Sequence, residues 1–342
     1  MNRNTLRWII ALLLLLALAV GLSSPSIAEG GKLPLDFMQG GTQPKADNWE
    51  MDESGKNAVG YKDSTIEVTS EKSKVVPDAL SGRKKGIKHE VWVVRIKISD
   101  PTQLRTAVSK DTYSGRGQAK GEDIAKSKNA VVAMNGDFFK YEYDVGYVVR
   151  QGEFVRDATD NTRKITLPDP EDSKNRISAT GKLFDMLVID SEGDFHIVPE
   201  AKTQEIEAFV ESELTPEGRT VMDAFNLGPA LIVDGEVQDI SASRAARQGD
   251  YQWKYPQQRI ALVQTGTLEY AIVEVYGKTD GSAGLSLQEF AELIAEKVPD
   301  AQVAYNFDGG GSTYLIMKNK RICKTDGKRD ITDIIYFASA EE

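Results

Sequence analysis

The chain has 342 residues, 42 basic against 52 acidic, with a formal net charge of −10, two histidines and one cysteine. The acid excess argues against non-specific nucleic-acid binding, which rests on neutralising phosphates with Lys and Arg, and against docking on an anionic membrane surface. The single Cys323 rules out an internal disulfide framework. With only His89 and His196, a His-rich zinc site or a Ser-His-Asp triad is not supported, so any chemistry must rest on carboxylates, Arg, Asn and backbone amides.

Arg3 and Arg7 open the chain, and Trp8 to Leu22 runs apolar without a charge. Ser26-Ile27-Ala28 then offers a small-x-small cleavage pattern. The run is shorter than the roughly 20 residues that a spanning helix needs. Residues 1–28 are therefore read as a secretory signal or an N-terminal membrane anchor, and a secreted or extracytoplasmic location follows. Without them the balance is 40 basic against 52 acidic, a net of −12. Residues 29–58, rich in Gly, Lys, Asp, Glu and Asn, read as a flexible spacer. A single domain is expected over 59–342.

Within that domain, Thr65–Thr69 and Glu90–Ile98 alternate as strands. A short helix is expected from Gly121 to Lys128. Ala130–Met134 is an apolar run, a buried strand that stops at Asn135-Gly136-Asp137. Asp157–Arg176 is charged and contains Pro, and reads as a loop. Met186–Ile189 and Phe195–Val198 flank turn chemistry at Asp190–Asp194. Lys202–Glu213 fits a helix. Ala230–Val233 precedes an Asp234-Gly235 turn, and Arg259–Val263 with Glu269–Val275 forms a hairpin. Ser286 and Glu289 make a capping box, after which Phe290, Leu293, Ile294 and Val298 share one helix face. Strands at Ala301–Tyr305, Tyr314–Met317 and Ile334–Phe337 complete the chain. Many strands and few helices predict an α+β domain with a mixed β-sheet core, flanking helices and Gly-rich active-site loops at strand ends.

Three segments share one plan, a buried strand running into a loop of Gly, Asn and Asp, where active sites are commonly built. They are Asn135-Gly136-Asp137-Phe138-Phe139, Asn226-Leu227-Gly228-Pro229 and Asn306-Phe307-Asp308-Gly309-Gly310-Gly311-Ser312-Thr313. In the last, three glycines let the backbone approach a ligand and turn its N–H groups into an anion-binding concavity. Asp308 places a carboxylate at its lip, and Ser312 and Thr313 add hydroxyls. The pattern is no P-loop, since no G-x-x-x-x-G-K-[ST] occurs. Locally, Asn135-Gly136-Asp137 reads equally as a type I′ turn. Arg259 reads equally as a surface strand residue, and Arg329, Asp330 and Asp333 as solvated charges.

The ordered set N-G-D-F-F, N-L-G-P-A-L-I-V-D-G, Q-R-I-A-L-V, N-F-D-G-G-G-S-T and R-D-I-T-D resembles the phosphodiester glycosidase family. That family includes the uncovering-enzyme type, which removes N-acetylglucosamine from a phosphodiester, and relatives linked to exopolysaccharide synthesis. The likeness runs from about Tyr61 to Phe337 and includes Gln103–Ala107. The chain departs from the pattern at Asp137, where the family has a second Gly, and at Ile260-Ala261 after Arg259. The added carboxylate retunes substrate choice, binds a cation or disables the site.

The resemblance implies hydrolysis of a sugar-1-phosphodiester at the anomeric C–O bond, with a phosphate-containing glycopolymer as partner. On this reading Asp308 is the base or carboxylate stabiliser, Arg259 clamps phosphate oxygens, and Asn135 and Asn226 hold sugar hydroxyls. Gly136, Asp137, Phe138, Gly228, Gly309, Gly310, Gly311, Ser312, Thr313, Arg329 and Asp333 complete the substrate-binding set. No cofactor is fixed by the sequence, and a divalent cation stays open. Oxygen ligands without His or Cys would suit Ca²⁺ or Mg²⁺. Two other readings stay open: a non-catalytic glycopolymer binder with the same fold, and a phosphodiesterase that cleaves P–O.

Overall fold

The computed structural model describes residues 33, 39–75, 89–111, 117–136, 146–158, 165–168, 176–179, 185–199, 203–226, 228–242, 253–278, 281–325, 327 and 329–342. The signal or anchor at 1–28 lies outside these residues, as do Asp137, Phe138 and Leu227. Among the described residues no helix is long and apolar enough to cross a membrane.

Strands dominate, and they form three larger sheets. A nine-stranded sheet runs in the order Trp49–Met51, Ala58–Lys62, Ile66–Val75, His89–Ile98, Glu269–Val275, Arg259–Gly266, Val303–Asn306, Ala230–Val233 and Glu236–Val237. The first five-stranded sheet orders Lys320–Arg321, Leu315–Met317, Ala130–Asn135, Asp333–Ala338 and Leu104–Val108. The second orders Phe195–Val198, Met186–Asp190, Val221–Phe225, Gly146–Arg150 and Glu153–Ala158. A separate hairpin pairs Ile165–Pro168, inside the segment expected to be a loop, with Arg176–Ala179, which begins at its last residue.

One apolar core joins the three sheets. Val94, Ile96, Ile260, Leu262, Ile272 and Tyr305 of the large sheet meet Val132, Met134, Leu315, Ile335 and Phe337 of the first five-stranded sheet and Leu187, Ile189 and Phe225 of the second. The residues between them in sequence point outward, and a helix covers each outer face. Helix α1 (Gly121–Ser127) lays Ile124 and Ala125 on Ala133, Ile334 and Tyr336. Helix α2 (Thr203–Phe209) lays Ile206 on Met186, Val188 and Ala224. Helix α3 (Leu287–Lys297) lays Phe290, Leu293 and Ile294 on Ala261, Val263 and Val273. Its capping box forms as the sequence predicts, with the Ser286 side chain and Glu289 each satisfying the other's backbone N–H.

Two expectations need correction. The sheet is not mixed, because every strand pair among the described residues is antiparallel. Strands covered on both faces carry near-continuous apolar runs, as Ala130–Asn135 does, and such runs do not reveal strand direction. Nor is 29–58 a spacer throughout. From residue 39 the chain is built in: Trp49 and Glu50 pair with Tyr61 and Gly60, Thr42 bridges Ser339, and the Gly41 amide donates to Lys128 O at 2.9 Å. Polar composition concealed this, because these residues contribute backbone pairing more than apolar burial.

Candidate functional site

Each of the three sheets delivers an asparagine at or just past the end of a buried strand. Asn135 closes Ala130–Asn135, Asn306 closes Val303–Asn306, and Asn226 follows Val221–Phe225. All three are buried, so their amides must find partners or carry a desolvation cost. They find main chain. Asn135 Nδ2 donates to Asp308 O at 2.8 Å, and its Oδ1 accepts from Tyr314 N at 3.0 Å. Asn226 Nδ2 donates to Tyr147 O at 2.6 Å and its Oδ1 accepts from Tyr147 N at 3.0 Å. Asn306 Nδ2 donates to Gly228 O at 2.8 Å. Asn135 therefore ties its sheet to the glycine-rich loop, Asn306 holds the loop at Gly228, and Asn226 clamps the neighbouring strand Gly146–Arg150 of its own sheet. These side-chain bonds of Asn135 and Asn226 go to backbone, not outward to where a sugar would sit.

The glycine-rich segment forms a single 3-10 turn over Gly310–Ser312. Three of its amides are used internally: Gly310 N donates to Gln258 O at 3.0 Å, Ser312 N to Gly309 O at 3.2 Å and Thr313 N to Gly310 O at 3.2 Å. The cradle is thus narrower than three consecutive glycines imply. Among the described residues, the amides of Gly309 and Gly311 have no protein acceptor. Gly309 is required by close approach, since a Cβ there would stand 2.3 Å from Gln258 O. Asp308 and Gly309 are half-buried in an otherwise buried loop, so the mouth of the site opens at them.

Arg329 lies on this turn. Its backbone N donates to Gly311 O at 3.1 Å, and Tyr314 Oη donates to Arg329 O at 2.9 Å. From that anchored backbone the guanidinium donates to Ser312 Oγ at 3.0 Å and stands 3.9 Å from Asp308 Oδ2. The Arg329 side chain is 54% exposed and that of Asp308 20%, so this cation remains open to an incoming anion. Arg259 behaves otherwise. It is buried, and it donates to Leu285 O at 3.1 Å and Tyr255 O at 2.8 Å. These bonds tie together the two loops that flank the start of its strand.

Asp333 and Gly136 form the floor. Gly136 N donates to Asp333 O at 3.1 Å, and a Cβ on Gly136 would stand 2.6 Å from the Asp333 carboxylate. That carboxylate is held by Arg150, at 3.3 Å from Nε and 3.2 Å from Nη2. Both side chains are buried, and such a pair is costly to break from one side. Arg150 also donates to Ala224 O and lies 4.0 Å over the Phe225 ring. Beside it, burial pushes the Asp223 carboxyl up, with the Arg150 charge and bonds from Gln151 N and the Thr106 hydroxyl opposing.

The structure therefore gathers Asn135, Gly136, Asp308, Gly309, Gly310, Gly311, Ser312, Thr313, Arg329 and Asp333 at one place, with Gly228 joined through Asn306. Asn226 and Arg259 support the neighbouring loops. Arg150 and Asn306 belong to this constellation and were not singled out by the sequence reading. Asn306 carried the same signal as Asn135, an Asn ending an apolar run; Arg150 showed only as a charge closing one. Asn306 Oδ1 and Thr313 Oγ1 are buried with no hydrogen-bond partner among the described residues, which marks polar capacity left for a ligand or water. Among the described residues no group of three or more His, Cys, Asp or Glu is placed to hold a metal ion.

A family model described as phosphodiester glycosidase matches residues 128–338, more than half of the chain. No curated protein matches. Among solved structures, the catalytic domain of zebrafish N-acetylglucosamine-1-phosphodiester alpha-N-acetylglucosaminidase, auto-inhibited by its pro-peptide, aligns over 81% of this chain and 84% of that one. The TM-score is 0.58 and the identity 16%. A Synechocystis protein aligns over 80% of this chain and 62% of that one, with a TM-score of 0.47 and 17% identity. At these identities the zebrafish likeness bears on the fold.

Proposed function

The chain belongs to the phosphodiester glycosidase family, and from that premise we propose that it is an exported hydrolase cleaving the glycosidic C–O bond of a sugar-1-phosphodiester, in envelope or exopolysaccharide glycopolymer metabolism. The observation that carries this reading is the Arg329 guanidinium, open to solvent on a glycine-rich turn and 3.9 Å from the Asp308 carboxylate. An anion grip and a carboxylate side by side are what the reaction needs. A phosphate monoester leaves far more readily than a sugar hydroxyl, so general-acid assistance matters less than holding the phosphate and steadying positive charge at the anomeric carbon.

In this reading Arg329 and the Gly309 amide meet the phosphate oxygens, and Ser312 Oγ helps aim the guanidinium. Asp308 faces the anomeric centre, where it stabilises the oxocarbenium-like transition state or takes the proton of the attacking water. The water oxygen ends on the anomeric carbon, and the leaving oxygen stays on phosphorus. Asn306 Oδ1 and Thr313 Oγ1 offer polar contacts in the wall, and Gly136 and Gly228 shape it. Asn135, Asn226, Arg150 with Asp333, and Arg259 hold the loops. Asp137 and Phe138 follow Gly136 in sequence and keep their proposed substrate-binding roles. The bonds of Arg259 to Leu285 O and Tyr255 O favour Arg329 over it as the phosphate clamp.

The test is incubation of the purified protein with UDP-N-acetylglucosamine and a panel of sugar-α-1-phosphodiesters in oxygen-18 water, with Asp308→Asn alongside. Labelled free sugar released by the parent and lost in the variant is the expected result. Label in the phosphate would mean P–O cleavage. Binding to glycopolymer without any product would mean a lectin-like role. Repeating the assay after chelation, with Ca²⁺ or Mg²⁺ added back, decides whether the acidic oxygens recruit a cation.

A further inference from the structure

Beneath the glycine-rich turn lies a buried polar pair that the reaction scheme does not use. Gln258 and Glu274 are each 0% exposed. Gln258 lies just before the strand Arg259–Gly266 and Glu274 on the antiparallel strand beside it, where Ile260 pairs with Glu274. Gln258 Nε2 has two protons, and both are committed. One goes to Glu274 Oε1 at 2.7 Å and the other to Lys324 O at 2.6 Å.

The main chain of Gln258 faces the turn. Its carbonyl accepts from Gly310 N at 3.0 Å and is the atom that a Cβ on Gly309 would strike. Two residues on, the Ile260 carbonyl accepts from Phe307 N at 3.0 Å. One residue therefore touches both pieces of the site: the turn that follows Asp308 through its backbone, and the start of the segment leading to Arg329 through its side chain. Lys324 is held a second time, since its ammonium lies 3.2 Å from Glu90 Oε2. Glu90 in turn pairs with Lys72 at 2.9 Å and accepts from Trp92 Nε1 at 3.3 Å.

We infer that Gln258, oriented by the buried Glu274 carboxyl, is a positioning residue that sets the distance between Asp308 and Arg329. The inference rests on the proposed assignment of those two residues to the site. Its physical basis is that both Nε2 protons are committed, whereas Gln258 Oε1 and Glu274 Oε2 are buried with no partner among the described residues. Gln258 has no unused donor, and a buried amide whose partner is removed reorients to recover a bond. Here reorientation releases Lys324 O, and with it the backbone that aims the Arg329 guanidinium.

Glu274 suits this task because its surroundings favour the neutral carboxyl. Burial pushes its carboxyl well above the usual range; the Gln258 hydrogen bond opposes this and the nearby Glu90 charge adds to it. A neutral carboxyl accepts from Gln258 without bringing an uncompensated charge into the core. Glutamine at position 274 would accept the same bond, whereas leucine would fill the volume and accept nothing. This difference separates a hydrogen-bonding role from a space-filling one.

The experiment compares the parent with Glu274→Leu, Glu274→Gln and Gln258→Met, using hydrogen–deuterium exchange and steady-state kinetics on the same samples. In Glu274→Leu and Gln258→Met, exchange is expected to rise about tenfold in peptides covering 306–313 and the peptide carrying Arg329, with 91–94 and 261–263 at parental rates. Their kcat is expected to fall roughly 10–100-fold at a KM within about twofold, the mark of misplaced rather than missing contacts. Glu274→Gln is expected to stay within about twofold of the parent in both readouts, because the bond is restored. Parental exchange in Glu274→Leu would overturn the inference, as would a uniform rise across the core, or a Glu274→Gln variant as loose as Glu274→Leu. An inactive parent would instead tell against the hydrolase reading, and the exchange data would still decide the positioning role.

Discussion

Asn135 reaches from the end of one sheet to the loop of another, donating its side-chain amide to Asp308 O at 2.8 Å while accepting from Tyr314 N at 3.0 Å. One buried side chain thus grips the glycine-rich segment on both sides of its turn. Replacing it with alanine removes both bonds and leaves the buried Tyr314 N–H without this acceptor. Asn135→Ala is expected to lose about 2–4 kcal/mol of stability in urea unfolding. Its turnover should fall further than the small unfolded fraction explains. A variant within about 0.5 kcal/mol of the parent would mean that the turn is held by its own backbone bonds alone.

Asp308→Asn keeps the shape of the half-buried side chain and removes its charge. Turnover is expected to drop by about 10²–10⁴-fold with little change in unfolding midpoint, since a partly exposed ion pair at 3.9 Å contributes little to stability. Single-turnover assays and urea titration on one preparation check both parts. Near-normal turnover would remove Asp308 from the chemistry.

Much of this architecture could be read from local pattern. The Ser286–Glu289 capping box, the Asp190–Asp194 turn and the Asn-ended strands each depend on residues a few positions apart, so their signals survive in the bare sequence. What could not be read depends on separation. Arg150 and Asp333 lie 183 positions apart, and nothing near either announces the pair. Arg259 begins an apolar strand, and that pattern is the same whether its guanidinium meets a phosphate or the carbonyls of Leu285 and Tyr255. Arg329 looked like a solvated charge, and it is exposed; only the backbone bond to Gly311 shows what it is exposed over. Strand direction was hidden for a related reason, because burial on both faces removes the alternation that antiparallel strands often show.

Arg329→Ala should separate binding from stability. The side chain is mostly in solvent, so the unfolding midpoint is expected to move by no more than about 0.5 kcal/mol. KM for a sugar-1-phosphodiester should rise roughly 10–100-fold through loss of a charge-assisted grip. Arg329→Lys should recover only part of this, since an ammonium cannot make the forked contact. Parental KM in Arg329→Ala would move the phosphate elsewhere along the rim.

Glu274 gives a prediction with a definite sign in pH. Burial raises its folded-state pKa well above the ordinary glutamate value, near 4.5. The folded protein therefore holds a proton that the unfolded chain gives up above that pH. The contribution is fully present below the unfolded pKa and declines as pH rises towards the folded one, by about 1.4 kcal/mol per pH unit for a single proton. Glu274→Gln carries no titrating proton, so it lacks this decline. Urea unfolding at pH 4, 5, 6 and 7 should show the variant gaining on the parent steadily from pH 5 upwards, with the other ionisable groups cancelling in the difference. A parent-minus-variant difference flat across that range would mean that Glu274 is charged in the folded protein. In that case the contact with Gln258 is a charged hydrogen bond, and glutamine at 274 would no longer serve as its equal.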